Sequence, residues 1–270
     1  MIRLLNANFA RLFKGKLFWI CAAGAVVLGA MEIIPRVANM TEDSRPEWYL
    51  FNASGFFLMI MTAIFVGLFV GEEYGGTLRN MIIVGQKRSS IYLSNLIICF
   101  FGICVFHLLY WGAILAAGLI FGCKITVSAE IIAVYELLQL SSLLGMCAVF
   151  TAITMLIPKK IAGALACLIL IVGLYFADNL VFVRLIDLDA IYLSDIGITS
   201  AELAERNFLY FLRNILPFGQ EEQIRVGFNG ELQPFSATEP VPFKIALCSF
   251  GEIAAATAAG VMVFRKMDVK

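Results

Sequence analysis

Residues 131–183 read IIAVYELLQLSSLLGMCAVFTAITMLIPKKIAGALACLILIVGLYFADNLVFV, two long apolar runs joined by Pro158-Lys159-Lys160. A helix needs about 20 predominantly apolar residues to cross the hydrocarbon core of a bilayer, and each run is long enough. Because the connection is only three residues long, the two helices must be antiparallel neighbours. This stretch therefore predicts a protein built from packed membrane-spanning helices.

The composition of the whole chain supports the same fold class. Of the 270 residues, 61% are hydrophobic and 15% are charged, whereas about 25% of residues are charged in soluble proteins. Six stretches are long enough to span a membrane, which predicts an all-α polytopic membrane protein with one domain over residues 1–270. The predicted spans are 17–34, 53–71, 91–121, 131–157, 161–183 and 243–264. No small-residue cleavage site follows the first span, which favours an uncleaved helix over a signal peptide.

The distribution of basic residues predicts how the spans are oriented. Cytoplasmic segments of membrane proteins are enriched in Lys and Arg. Twelve such residues lie before the first span, in alternate loops and after the last span, whereas the two short loops on the other face carry only Arg36, Arg45 and Lys124. Both termini are therefore predicted to be cytoplasmic. In the whole chain 20 Lys and Arg balance 20 Asp and Glu, which excludes a strongly basic nucleic-acid-binding protein.

Residues 1–16 have the pattern of an amphipathic helix. One side of a helical wheel carries Leu5, Phe9, Leu12 and Phe13, and the other carries Arg3, Asn6, Arg11 and Lys14. A basic amphipathic helix of this kind lies in the membrane interface, here on the cytoplasmic leaflet. A solvated, frayed terminus is the alternative.

The segment 184–242 is predicted to be a partly helical outer loop between the fifth and sixth spans. Within it Thr199-Ser200-Ala201-Glu202 has the form of a capping box, which predicts a helix that begins there and ends near Pro217. The helix is too apolar to lie free in water, so we expect it to dip into the outer membrane surface or to cap the bundle.

The loop between the second and third spans contains GEEYGGTLRN (residues 71–80) followed by KRSSIY (residues 87–92). It resembles the corresponding loop of permease subunits of ABC-2 type transporters, in which an acidic pair, an aromatic residue and a Gly-Thr-Leu-Arg run commonly end the second span. The amphipathic amino-terminal helix, the six spans, the long outer loop and the short basic tail also resemble that family. Among its members, the chain is similar to small permeases of bacteriocin and phenol-soluble-modulin exporters.

The resemblance implies a division of labour between subunits in a bacterial plasma membrane. Family permeases pair as dimers and bind two copies of a cytoplasmic ATPase that holds ATP and Mg. The resemblance implies that the second permease here is another copy of the chain, in a homodimer. The loop 72–90 would be the coupling loop, in which Glu72, Glu73, Thr77 and Arg79 transmit motion from the ATPase and Arg88 supports the start of the third span. The chain itself contains no Gly-x-x-x-x-Gly-Lys-[Ser/Thr] motif, so we expect no ATPase activity, no catalytic residue and no cofactor of its own.

Ionisable residues inside predicted spans are candidates for a functional role, because charges in hydrocarbon are costly. Glu252 lies in the middle of the last span, His107 lies in the middle of the third, and Glu136 lies in the outer half of the fourth. These residues line the transport pathway or bond neighbouring helices. A pairing of His107 with Glu252 is one possibility.

The leading hypothesis is a permease that exports an amphipathic peptide or an antimicrobial-type cargo with energy from a separate ATPase. One alternative is an intramembrane protease-like enzyme that uses Glu72 and Glu73, although only one histidine is present. Another is a non-transporting immunity or sensor protein. The seven cysteines are scattered without a CxxC pair, so no metal site or disulfide framework is predicted.

Overall fold

A computed structural model of the chain describes residues 2–37, 54–75, 77–121, 127–193, 198–232 and 242–267. Helices account for 93% of these residues, and none of them forms a strand, which confirms the predicted all-α class. Several predicted features lie outside the described residues. They are residue 53 at the beginning of the second predicted span, parts of the segment 184–242, and the basic residues Arg45 and Lys124.

The helices follow one another with short connections. They are α1 (Ile2–Lys14), α2 (Lys16–Val37), α3 (Ser54–Gly71), α4 (Thr77–Ile83), α5 (Arg88–Ile120), α6 (Ala129–Leu156), α7 (Lys160–Leu193), α8 (Ser200–Ile215), α9 (Pro217–Leu232) and α10 (Pro242–Lys266). A 3₁₀ turn over Glu72–Gly75 joins α3 to α4.

Five helical segments of the described chain are long and apolar enough to cross a membrane. They are Gly55–Tyr74, Arg88–Ile120, Ala129–Leu156, Lys160–Tyr192 and Pro242–Lys266. A sixth span is present if α1 and the following Lys16–Glu32 are taken together, although these two helices are bent by 61°. Five of the six predicted spans thus correspond to these segments. The first corresponds to α2, which is apolar but meets the length and hydropathy needed to cross a membrane only together with α1.

The fifth span extends beyond its predicted end at residue 183. The helix α7 continues to Leu193 because Val181, Leu185 and Leu188 keep an apolar stripe at helical spacing, and all three are buried. At about 1.5 Å per residue its 34 residues are about 51 Å long, well beyond a hydrocarbon core of about 30 Å. The first part of the predicted outer loop is therefore helical.

The helices α3 and α6 form the centre of the bundle, with 67% of their apolar segments buried, whereas the values for α7 and α10 are 22% and 17%. The centre packs tightly where glycines allow it. A Cβ atom on Gly67 would lie 2.5 Å from the Ala164 Cα atom, and one on Gly71 would lie 2.8 Å from the Lys160 Cα atom. These glycines, four residues apart, allow the backbones of α3 and α7 to approach closely.

The outer segment differs in part from its prediction. The capping box of Thr199 and Glu202 is present, and the helix that it begins, α8, ends at Ile215, as expected. However, α8 has no buried residue, and it is the unpredicted helix α9 that packs against α6. Its side chains Phe218, Gln220, Ile224 and Phe228 are buried. Proline at the first position of α9 fixes a backbone angle that suits a helix start.

Candidate functional site

The predicted coupling loop forms a compact structure at one end of the bundle, which we call the coupling end. The 3₁₀ turn follows α3 directly, and the short helix α4 then leads to a reversal at Gly85, whose φ is +85°. Such a φ suits glycine because a Cβ atom would be strained there. The amides of Gly85 and Gln86 donate to the carbonyls of Ile82 and Met81, and the chain then enters α5.

Glu73 lies inside the coupling end, with only 1% of its surface exposed. Its Oε1 atom is 2.7 Å from Arg11 Nη1, and its Oε2 atom accepts a hydrogen bond from the Asn95 side chain. Arg11 also donates to Asn95 Oδ1 over 3.2 Å. The carboxylate thus joins the 3₁₀ turn to α1 and to α5. A buried charge of this kind is tolerated because it is paired and hydrogen-bonded.

The polar cluster around Glu73 extends along the contact between α1 and α5. Asn8 Nδ2 donates to Ser94 Oγ over 3.0 Å and to Asn95 Oδ1 over 3.3 Å. Asn8 is buried together with Leu4 and Leu12, while Leu5 and Phe9 are partly buried against the core, so the inward side of α1 includes most of the predicted apolar side and extends to Asn8. Arg11, predicted on the solvated side, instead turns inward with its guanidinium carbon 4.1 Å from the centre of the Phe69 ring. The reason is that Glu73 attracts the Arg11 guanidinium. A helical wheel of residues 1–16 does not show this partner, because Glu73 lies in another segment of the chain.

Some of the other residues of the motif are exposed at the surface, and others attach it to the bundle. Glu72, Thr77 and Arg79 are exposed, and the Glu72 side chain lies 4.0 Å from Lys160 Nζ. The helix α4 that carries Thr77 and Arg79 is fixed by Leu78, which is buried. The Tyr74 hydroxyl donates to the Met155 carbonyl on α6. The coupling end therefore exposes polar side chains to the surroundings, while its buried side chains attach it to neighbouring helices.

Arg88 connects the beginning of α5 to the end of α10. Its Nη1 atom donates to the carbonyls of Phe264, over 3.5 Å, and Met267. The last carbonyls of a helix have no partner within it and carry a partial negative charge, which favours a cation at this position. Arg88, for which a support role at the start of the third span is predicted, therefore also contacts the end of the last span.

The intramembrane polar residues pair differently from the possibility considered above. His107 Nε2 lies 2.9 Å from Glu136 Oε1, so its partner is Glu136 and not Glu252. Glu252 Oε1 accepts from Gln220 Nε2 over 3.0 Å, and Gln220 Oε1 accepts from Ser249 Oγ over 3.0 Å. The pairing of His107 with Glu252 is wrong because α9, which was not predicted, brings Gln220 to Glu252.

The partners of Glu73 were missed by sequence reasoning, although a signal for one of them exists. Asn95 stands within the otherwise apolar start of a span, in Leu93-Ser94-Asn95-Leu96. A polar amide there requires a hydrogen-bonding partner. The side chains of Ile83 and Val84 were also missed; 71% and 77% of their surfaces are exposed at the end of α4.

Comparison with known proteins identifies the family. The sequence matches the family described as "ABC-2 family transporter protein" over residues 4–176. The chain belongs to the ABC-2 transporter family. The matched region runs from α1 into the first half of α7 and contains the entire coupling end apart from its contact with α10. Comparison with curated proteins gives no match.

Family membership supports the function class that the sequence predicts. An ABC-2 permease is the multi-pass membrane component of an ABC transporter and implies an ATPase partner. The long apolar helices of the described chain agree with a membrane location. Among the described residues, no group of three His, Cys, Asp or Glu side chains is placed to hold a metal ion.

Proposed function

We propose that this chain is the permease of an ATP-driven exporter, with both termini in the cytoplasm of a bacterium and α1 in the membrane interface. In the proposed complex it pairs with a second copy and binds two copies of a separate ATPase through the coupling end. The observation that carries the proposal is the buried carboxylate of Glu73, which attaches the surface-exposed coupling loop to two other helices.

The contacts of the coupling end offer a route for mechanical transmission. The exposed face of α4 with Arg79 and Ile83, together with Val84 directly after the helix, is a suitable docking surface because it combines charge with apolar side chains. A displacement of α4 would act on α1 through Arg11 and Glu73, on α6 through Tyr74, and on α10 through Arg88. Packed helices respond to such displacements as rigid bodies, which is how ATPase motion would reach the spans.

The separation of the two glutamates argues against the enzyme alternative. Glu73 is buried beside Arg11 and Asn95, whereas 59% of the Glu72 side chain is exposed and it lies near Lys160. A hydrolase that used both carboxylates would need them around one reacting group. Their arrangement instead suits a structural role for Glu73, which holds the loop to α1 and α5, and a surface contact for Glu72.

The proposed cargo is an amphipathic peptide or an antimicrobial-type compound. This class is the one implied by the resemblance of the sequence to small permeases of bacteriocin and phenol-soluble-modulin exporters. The weakly buried helices α7 and α10 provide apolar surface that a second copy or lipid would cover. A pathway between two copies would bring such faces next to the cargo.

The docking surface is tested by co-purification with the candidate ATPase, identified as a P-loop protein encoded beside this chain. We expect Ile83→Asp combined with Arg79→Glu to abolish association while the permease remains folded. Phe208→Asp on α8 is the matched control, since Phe208 is also an exposed apolar residue but lies far from the coupling end. Undiminished association of the α4 variant would refute the proposed docking surface.

A further inference from the structure

A cavity of about 290 Å³ lies between the beginning of α3, the middle of α7 and the beginning of α9. Its wall includes Gly55, in the first turn of α3, whereas the coupling end begins after Gly71. At about 1.5 Å per residue, these two positions are about 24 Å apart along α3. The cavity is therefore near the end of the bundle opposite the coupling end, and its residues play no part in the coupling contacts.

The wall of the cavity contains a carboxylate with an oxygen atom that lacks a partner. Asp178 lines the cavity with 7% of its surface exposed, and its Oδ1 atom has no hydrogen-bond partner among the described residues. The Oε1 atom of Glu221, also in the wall, is likewise unpartnered within the described chain, while its Oε2 atom accepts from Gln139 over 2.9 Å. Buried carboxylates are costly without compensation, so this wall favours a ligand that supplies positive charge.

The charges around the cavity leave it negative. A third acid, Glu222, is paired with Arg225, and these are the remaining charged residues of the wall. Arg213 is also close enough to act on Asp178, but it lies over the Phe182 ring, with its guanidinium carbon 5.0 Å from the ring centre. The arginines therefore reduce the negative charge without bonding to Asp178.

The wall of the cavity also contains several aromatic rings. The rings of Phe56, Tyr175 and Phe218 lie with centroid separations of 5.3 to 5.9 Å, and Phe182 is also in the wall. Aromatic faces attract cations, most strongly where water is excluded. An acidic group combined with aromatic walls is the arrangement that recognises an organic cation.

We propose that this cavity binds an alkylammonium group, with the Asp178 carboxylate as its counter-ion and Tyr175, Phe182 and Phe218 as its aromatic walls. The positive charge of an ammonium in the cavity would offset the negative charge of Asp178 and Glu221, which both line it. An organic cation fits better than a metal ion, because the described residues provide no metal-binding cluster. The volume suits a small amine or a single lysine side chain rather than a whole peptide.

Glu221 makes the proposed binding sensitive to pH. Burial raises the pKa of Glu221 to about 7, with Gln139 opposing the shift and Glu136 adding to it. The other charged groups around the cavity are Asp178 on α7 and Glu222 and Arg225 on α9. Since an alkylammonium keeps its charge up to about pH 10, as lysine does, its affinity should rise as Glu221 loses its proton.

The experiment measures binding to the full chain in nanodiscs of neutral lipid, without any ATPase, so its result is independent of the proposed coupling function. The probes are n-butylammonium and a lysine-containing amphipathic peptide, compared with 1-pentanol and the Nε-acetylated peptide. We expect the charged members to bind at least tenfold more tightly. Binding of the amine alone would indicate a free amine as ligand, and binding of the peptide alone would indicate a lysine side chain.

Two variants distinguish the site from unspecific attraction. Asp178→Asn should weaken binding of the charged probe about ten- to hundredfold, the effect typical of a lost hydrogen bond to a charged group. Phe218→Leu should weaken it about three- to tenfold through loss of an aromatic face. Asp187→Asn is the control, an exposed acid on the same helix that should bind as the wild type does. Equal binding of neutral and charged probes, or unchanged binding by both cavity variants, would overturn the proposal.

Discussion

The pair formed by Arg11 and Glu73 allows a quantitative test of how the coupling end is held together. The Glu73 side chain is fully buried, whereas 24% of the Arg11 side chain is exposed. Removing Arg11 leaves a buried carboxylate with Asn95 as its remaining described partner. Loss of one member of a buried pair costs about 3–5 kcal/mol, so Arg11→Gln should lower the free energy of unfolding by about that amount.

Removal of the other partner should cost less. In Glu73→Gln the remaining Arg11 can turn its partly exposed guanidinium toward solvent, and we expect a loss of about 1–2 kcal/mol, typical of a broken hydrogen bond. The double variant Arg11→Gln with Glu73→Gln removes the uncompensated carboxylate. It should therefore be more stable than Arg11→Gln alone and close to Glu73→Gln.

The measurement is equilibrium unfolding of the purified chain in mixed micelles, with all four proteins compared as a double-mutant cycle. Helix content and monodispersity before unfolding serve as controls for correct folding. A loss below about 1 kcal/mol for Arg11→Gln would refute the reasoning, since it would mean that the buried carboxylate does not need the guanidinium. Strictly additive effects of the two substitutions would refute it as well.

Three further outcomes are expected. Gly67→Ala should destabilise the chain by about 1–3 kcal/mol in the same unfolding assay because α3 and α7 would be forced apart, whereas Gly112→Ala, which has open space around it, should not. Glu72→Ala should change the free energy of unfolding by less than about 1 kcal/mol, as expected for an exposed ion pair. The same variant should reduce the transport per ATP hydrolysed in the reconstituted complex, and an unchanged ratio would exclude Glu72 from the proposed contact with the ATPase. Butylammonium binding, measured by titration calorimetry, should strengthen about three- to tenfold from pH 6 to pH 8 as Glu221 ionises, and Glu221→Gln should weaken this dependence.

The features that the sequence predicts well are those determined by local patterns. The apolar runs predict where the long helices lie, and Thr199 with Glu202 predicts the start of α8 because a capping box involves only four neighbouring residues. The extension of α7 could also have been found, since the stripe of Val181, Leu185 and Leu188 has helical spacing beyond the end of the apolar run.

The features that could not be predicted depend on residues far apart in the chain. Arg11 and Glu73 are separated by 62 positions, and a helical wheel places Arg11 on a polar side without showing what it meets. The helix α9 has four charged residues and no apolar run, so hydropathy assigns it to a loop. Its burial results from contacts with α6, and the correct partner of Glu252 depends on that packing.

The contact of Arg88 with the end of α10 has a consequence for biosynthesis. The start of α5 and the coupling loop are made early, but the carbonyls that Arg88 binds belong to Phe264 and Met267, which are synthesised after every other helix described here. Until α10 has been inserted beside α6, the base of the coupling loop lacks this connection. A permease interrupted before α10 would thus carry an incompletely braced docking surface, so that engagement of a partner can follow completion of the bundle.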